Sequence, residues 1–548
     1  MKQLIYNISV FILLAGLFVS CKKLDDVNIN PNGVQEDQVN PNLIMPTVLS
    51  EAAKLYNDIG YQDLAGVVQH TQKDAWFTSH NDYDWDNSQS WSDYYAILRN
   101  NKLLLERAAA NDMQFHIGVG LVMKSFMFGL IADLWGAAPY SDALRGDEGD
   151  SAYLTPKYDS QEDIYLGILS DLDSANTLLS LSASEYSGID ADADLYYGGD
   201  PDGWRRFANS LALRYYMRLS AKEPAVAQAG VEKIANDPDT YPIITDESED
   251  AAMPYVGSTS DDSWPYNSVN YDASGSYYRR IKMCSTLVDA LELRDDPRLA
   301  VWANKVQIPL VVDASLAAGT DTIIDGKRYL APDVVEGVDI DTDQNYVGIP
   351  PAYSSVPSSY NLNPTPGQTS YNPHVSFLND IYTEASGDLL KARLLSAAEV
   401  NFILAEAAAD GWSVDGTAES YYDNGIKQSL VAWGVDDDYD DYIAGANVAF
   451  DGTVEQIITQ KWIATWTAAA EAWFDYRRTG YPAFTVGEAA IRSAMPLRFY
   501  YSSDEQSLNA TNVQAAMDDL ETTSYSESDG SNSAWSKFWL LQGTGEPY

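Results

Sequence analysis

Between residues 396 and 474 the apolar residues return at intervals of three and four, the spacing of one face of an α-helix. Ala397, Val400, Ile403, Leu404, Ala407 and Ala408 make a first face. The stretch DGWSVDG interrupts it. Ala418, Tyr421, Tyr422, Gly425, Ile426, Ser429, Leu430 and Trp433 make a second, and Val454, Ile457, Ile458, Trp462, Trp466, Ala469 and Trp473 a third. The same spacing runs earlier, from Leu43 to about Leu134. There Leu98, Asn101, Leu105 and Ala108 share a face, as do Met123, Phe126, Met127, Leu130 and Leu134, with Pro139 as a stop. Further helices are expected over 158–180 and from Pro201 through Trp204, Phe207, Leu211, Tyr215 and Arg218.

Small residues set among bulky aromatics suit helices that cross closely in pairs, as in tetratricopeptide hairpins of about 34 residues. The expected class is therefore all-α: a tetratricopeptide-like helical hairpin scaffold with long irregular loop excursions and a few short strands. Residues 235–280 and 305–390 supply the excursions. They are rich in Gly, Pro, Ser, Asp and Tyr and carry little periodicity. Loops that long in a compact protein are usually functional.

Aromatic residues make up 12% of the chain, with 37 Tyr and 14 Trp, and many stand in polar loop sequence. Such rings offer an apolar face and a hydrogen-bonding edge, which matches a sugar ring. The candidates are Trp76, Tyr83, Trp85 and Trp91 in the stretch 74–95, and Trp264, Tyr266, Tyr271, Tyr277 and Tyr278 in a second loop. Asn81, Asp82 and Asn267 are candidate partners for hydroxyls.

Lys2, the unbroken apolar run Val10–Val19 and Ser20 read as a signal peptide over 1–20. The run is too short for a bilayer, which needs about 20 residues. Leu17-Phe18-Val19-Ser20-Cys21 resembles a bacterial lipobox, so Cys21 is the expected lipidation site. Residues 21–42 read as a tether and 43–548 as one helical binding domain. The acidic pair Asp25–Asp26 reads either as a surface-export signal or as solvated linker. The one other cysteine, Cys284, is expected in the core. With 34 basic and 80 acidic residues the formal charge is −46. A surface of that sign repels nucleic acid, and no basic patch for a polyanionic ligand stands out.

Several blocks resemble the SusD/RagB family: YYGGDPDGWRRFANSLALRYYMRLS (196–220), LVDALELRDDPRL (287–299), SAAEVNFILAEAAADGW (396–412), ITQKWIATWTAAAEAWFDYRRTGYP (458–482) and AMPLRFYYSSDEQSLN (494–509). They stand in the family's order. Ser502 takes a place where proline is usual. The resemblance implies a helical scaffold whose loop-rich face binds glycan. It further implies an outer-membrane lipoprotein anchored through acyl chains and facing the exterior, and a SusC-like TonB-dependent transporter as partner. It implies capture of oligosaccharide without cleavage, so no catalytic residue and no cofactor is expected. The four histidines, His70, His80, His116 and His374, have no paired spacing, so no metal site is expected.

Trp204, Asn209, Arg214, Trp473, Arg477 and Arg478 in these blocks are read as structural: arginines bridging carboxylates, an asparagine cap, tryptophans in the core. Peptide binding stays open as an alternative, and so does a glycoside hydrolase, because 80 acidic residues hold many pairs. Asp190, Asp192 and Asp194, like Asp339, Asp341 and Asp343, start as an EF-hand does but lack its glycine and closing glutamate.

Overall fold

The computed structural model describes residues 39–364 and 371–548. The expected signal peptide, Cys21 and most of the tether lie outside them. The helical body begins inside the expected tether, at Pro41. The Asn40 side chain accepts from the Asn42 N–H and so caps α1 (Pro41–Asp58), with Pro41 at a position that needs no amide hydrogen.

The periodic segments form α2 (Ser92–Ala110), α3 (Gln114–Trp135), α4 (Gln161–Leu179), α5 (Pro201–Arg218), α6 (Ala397–Ala409) and α7 (Ala418–Ala432). The third face of the C-terminal region is two helices, α8 (Val454–Ala464) and α9 (Ala469–Thr479), because the chain turns between them with Thr467 at φ +71°. Ser160, Asp200, Ser396 and Thr453 cap α4, α5, α6 and α8 through their side-chain oxygens. α9 ends at Gly480, whose φ of +73° suits a residue without Cβ.

The helices pack as the composition suggested. α2 lies on α3, α3 on α4, α4 on α5, and α6 on both α7 and α8. Glycines sit where rings press on the next helix. A Cβ on Gly129 of α3 would lie 2.0 Å from the Tyr215 hydroxyl of α5, and one on Gly425 of α7 would lie 2.9 Å from the Phe402 ring of α6. α3 is long and apolar enough to cross a membrane by composition. It is instead the central helix of the core and is buried along most of its length.

Charged residues cross this core. Arg214 and Arg218 of α5, Lys461 of α8, and Arg477 and Arg478 of α9 face Asp133 of α3, Glu399 and Glu406 of α6, and Glu471 and Asp475 of α9. Arg214 meets Glu399 at 2.7 Å, Lys461 meets Asp475 at 2.8 Å, and Arg478 pairs with Glu406. Five cations thus balance five carboxylates, all ten nearly inaccessible to solvent. Two-sided pairing holds the Asp475 carboxyl below its ordinary range despite burial, through Lys461, Arg478 and Arg218. The structural reading of these arginines is met. Trp204 and Trp473 are core residues. Asn209 is not a cap: it stands inside α5 and donates to Asn176 and to the Pro242 carbonyl.

The strands are short. β1 (Thr71–Lys73) pairs antiparallel with β3 (Ile281–Met283), and β2 (Ala251–Pro254) with β7 (Lys391–Leu395). β6 (Lys327–Leu330) lies between β4 (Leu310–Val312), to which it is parallel, and antiparallel β5 (Asp321–Ile324). The long excursion there has a small apolar cluster of its own, with Val306, Val347, Ile349, Tyr360 and Val375. Cys284, next to β3, is buried and its thiol is pushed up to about 12 by that burial.

Candidate functional site

The β1–β3 pairing builds the site. Lys73 stands opposite Ile281, and the Asp74 N–H donates to the Arg280 carbonyl at 2.9 Å. The residues following β1 therefore lie beside those preceding β3. Trp76 comes to 5.6 Å from Tyr277, ring centre to ring centre. Tyr266 adds a third ring 5.5 Å from Tyr277, and Tyr271 a fourth, 5.0 Å from Tyr266 and 5.5 Å from Tyr277.

Trp76 is 65% exposed, Tyr271 49% and Tyr277 41%. Trp76 and Tyr266 hold φ at +50° and +62°, a conformation that costs a bulky residue about 1–3 kcal/mol. The surrounding contacts hold both backbones there at that cost, with the Trp76 ring turned outward and the Tyr266 ring half-buried.

The other candidates are elsewhere. Tyr83, Trp91 and Trp264 were expected to present their faces, and the structure corrects this: all three are buried. Trp264 packs among Tyr61, Tyr255 and Tyr382. Trp91 packs against Trp135 and Tyr158 and donates its indole N–H to Glu505. Tyr278 is buried as well and donates to the Leu378 carbonyl. Trp85 is half-buried, edge-on to Trp473 and Phe499, with its N–H on the Ser79 carbonyl at 2.9 Å. The amides serve the loops: Asn81 bonds both the N–H and the carbonyl of Lys73, and Asn267 closes the turn after Trp264.

Two cavities meet at this cluster. One, of about 250 Å³, is walled by Trp76, Tyr266, Tyr277, Gln62, Lys73 and Arg280. The other, of about 1140 Å³, is an open cleft that shares Lys73 and Tyr266 and reaches past Tyr271, Trp85 and Tyr94. Its walls carry Glu51, Asp58, Asp63, Asp84 and Asp93. Solvent reaches Asp58, yet the concave wall removes enough water to push its carboxyl up to about 7, with Asp63 adding repulsion.

Gln62, Lys73 and Arg280 were not read from the sequence. Lys73 two residues before Ala75-Trp76, and Arg279–Arg280 directly after Tyr277–Tyr278, were the visible traces. Among the described residues, no three or more His, Cys, Asp or Glu side chains gather as a metal site would. Asp194, in one EF-like run, is occupied by the backbone of Tyr196 and Gly199 and by the Trp204 indole at 2.7 Å.

The chain is similar in fold to an outer-membrane protein from Bacteroides vulgatus named for nutrient binding. The two are 25% identical with a TM-score of 0.71, over 92% of this chain and 100% of that one. A SusD homolog from Bacteroides fragilis matches at 23% identity and TM-score 0.71, over 92% and 99%. A chitin-binding protein matches at 24% and 0.69, over 92% and 100%. A comparison with curated proteins finds no match. The model of a SusD-like family, described as starch-binding and associating with the outer membrane, matches residues 31–311 and 332–502. With most of its length matched in this way, the chain belongs to that SusD-like family.

Proposed function

We propose that this protein captures oligosaccharide at the cell surface, on the rings of Trp76, Tyr266, Tyr271 and Tyr277, and passes it to a SusC-like TonB-dependent transporter. In this reading it is held on the outer membrane through acylated Cys21. The observation that carries the reading is the exposed, strained aromatic cluster at the junction of two cavities. The exposed rings of Trp76, Tyr271 and Tyr277, packed together with Tyr266, give an apolar platform for the faces of sugar units. The polar cleft beside them offers partners for hydroxyls. Stacking worth roughly 0.5–1.5 kcal/mol per ring beyond its buried area gives capture that is weak and readily reversed, as suits delivery.

Affinity electrophoresis of the full chain through gels containing soluble polysaccharides tests this. Retardation by at least one glucan or chitin-type polymer, reduced in Trp76→Ala, is expected. Retardation unchanged in both Trp76→Ala and Tyr277→Ala would move the site elsewhere.

One observation favours a second reading. Asp58, with its carboxyl near 7 beside Asp63, has the protonation of a glycosidase acid. A binder yields no new reducing ends from retained glycan. Reducing ends that vanish in Asp58→Asn would replace capture with hydrolysis.

A further inference from the structure

The smaller cavity differs in sign from the rest of the molecule. The chain carries −46, and the adjoining cleft is lined by at least five carboxylates. Yet no Asp or Glu lines the smaller cavity, while Lys73 and Arg280 do. Two of its donor atoms lack acceptors. The Gln62 amide nitrogen is buried without a hydrogen-bond partner, and so is the Arg280 Nε. Among the described residues, no carboxylate comes within ion-pair distance of the Lys73 ammonium. Burial pulls the Lys73 amine below its ordinary value, only partly opposed by Asp63.

Behind the wall, Arg280 and buried Lys282 share one carboxylate, Asp74, at 3.6 and 3.9 Å. That small group keeps a positive excess. Buried donors left unsatisfied cost free energy that a ligand's oxygens restore, and charged donors favour a charged acceptor.

We propose that the smaller cavity, walled on one side by Trp76 and Tyr277, takes a sugar unit bearing an anionic substituent, a carboxylate or a sulfate ester. The sugar ring lies against the wall that the touching Trp76 and Tyr277 rings make together, and the substituent accepts from Lys73, Gln62 and Arg280. This rests on the capture reading and narrows its ligand class to acidic glycans. Neutral units of the same chain lie along Tyr266 and Tyr271 towards the cleft. Repulsion from the wider surface is screened over about 8 Å at physiological ionic strength, so it does not bar an anion already at the cavity.

The test is calorimetric titration of the full chain with matched oligosaccharides. One pair is an oligogalacturonate and the same oligomer with its carboxyls reduced to alcohols. The other is a sulfated galactan fragment and its desulfated form. At least one anionic member is expected to bind about tenfold or more tightly than its neutral match. Which pair shows the difference separates carboxylate from sulfate. Lys73→Gln, whose side chain has no ion-pair partner to lose, is expected to abolish that difference while the thermal midpoint stays in place. Equal binding of neutral and anionic members overturns the acidic-glycan proposal and leaves capture standing. Binding of an anionic member that Lys73→Gln and Arg280→Gln both leave unchanged also overturns it. Binding of none of the four, with no retardation by any neutral polysaccharide, overturns both.

Discussion

The Arg280 guanidinium carbon stands 4.4 Å from the centre of the Trp76 ring, and the same group reaches Asp74 at 3.6 Å. An exposed indole is thus steadied by a cation that is itself steadied. Arg280→Lys keeps the charge and removes the flat surface. It is expected to weaken binding of retained glycan about twofold to fivefold, the equivalent of 0.5–1 kcal/mol for an exposed cation–π contact. Calorimetric titration reads this directly, and an unchanged affinity would mean the indole needs no support.

Exposure separates the ring substitutions. Trp76→Ala and Tyr277→Ala are expected to cost about 0.5–1.5 kcal/mol each in ligand binding with little change in unfolding. Trp264→Ala removes a ring that is 1% exposed. It is expected to destabilise the fold by about 3–5 kcal/mol. Urea unfolding beside titration distinguishes the two classes.

The buried ion network predicts a marked asymmetry. Arg478 has Glu406 and Asp475 as partners, the second at 3.0 Å. Arg478→Met strands Glu406 in the core, while Asp475 keeps Lys461 at 2.8 Å, and is expected to cost about 3–5 kcal/mol. Arg478→Met combined with Glu406→Met is expected to cost less than the sum of the two single changes. Denaturant midpoints of the singles and the double test this, and strict additivity would show the pair to be uncoupled.

Asp250 gives a pH dependence. Burial pushes its carboxyl up to about 8, although it accepts from the Ala397 N–H at 2.7 Å at the start of α6. A carboxyl raised in the folded state binds its proton more tightly there than in the unfolded chain. Its contribution to stability is therefore present below about pH 4 and lost as pH rises towards 8. The wild type should lose thermal stability from pH 5 to pH 9, and Asp250→Asn should flatten part of that slope. Parallel slopes would remove Asp250 as a cause.

The scaffold was readable because helix periodicity is local. Val400, Ile403 and Leu404 declare their face within one turn and a half. The break at Thr467 was not readable, since apolar spacing continued across it. The sign of the small cavity was missed for a similar reason: Lys73 and Arg280 are ordinary residues until a strand pair sets them on one wall. Among the loop aromatics, sequence could not sort Trp76 from Trp264. Both stand in polar surroundings, and only distant partners decide burial: Tyr61 and Tyr382 cover Trp264, while Trp76 meets Tyr277 at the rim. Asn81 and Asn267 were read as facing a ligand, but backbone groups of their own loops are nearer.

The pairing of Lys73 with Ile281 joins positions more than two hundred residues apart. A nascent or truncated chain ending before that partner arrives holds Trp76 with nothing to aim it. Ligand retention therefore doubles as an assay for the pairing of these two strands.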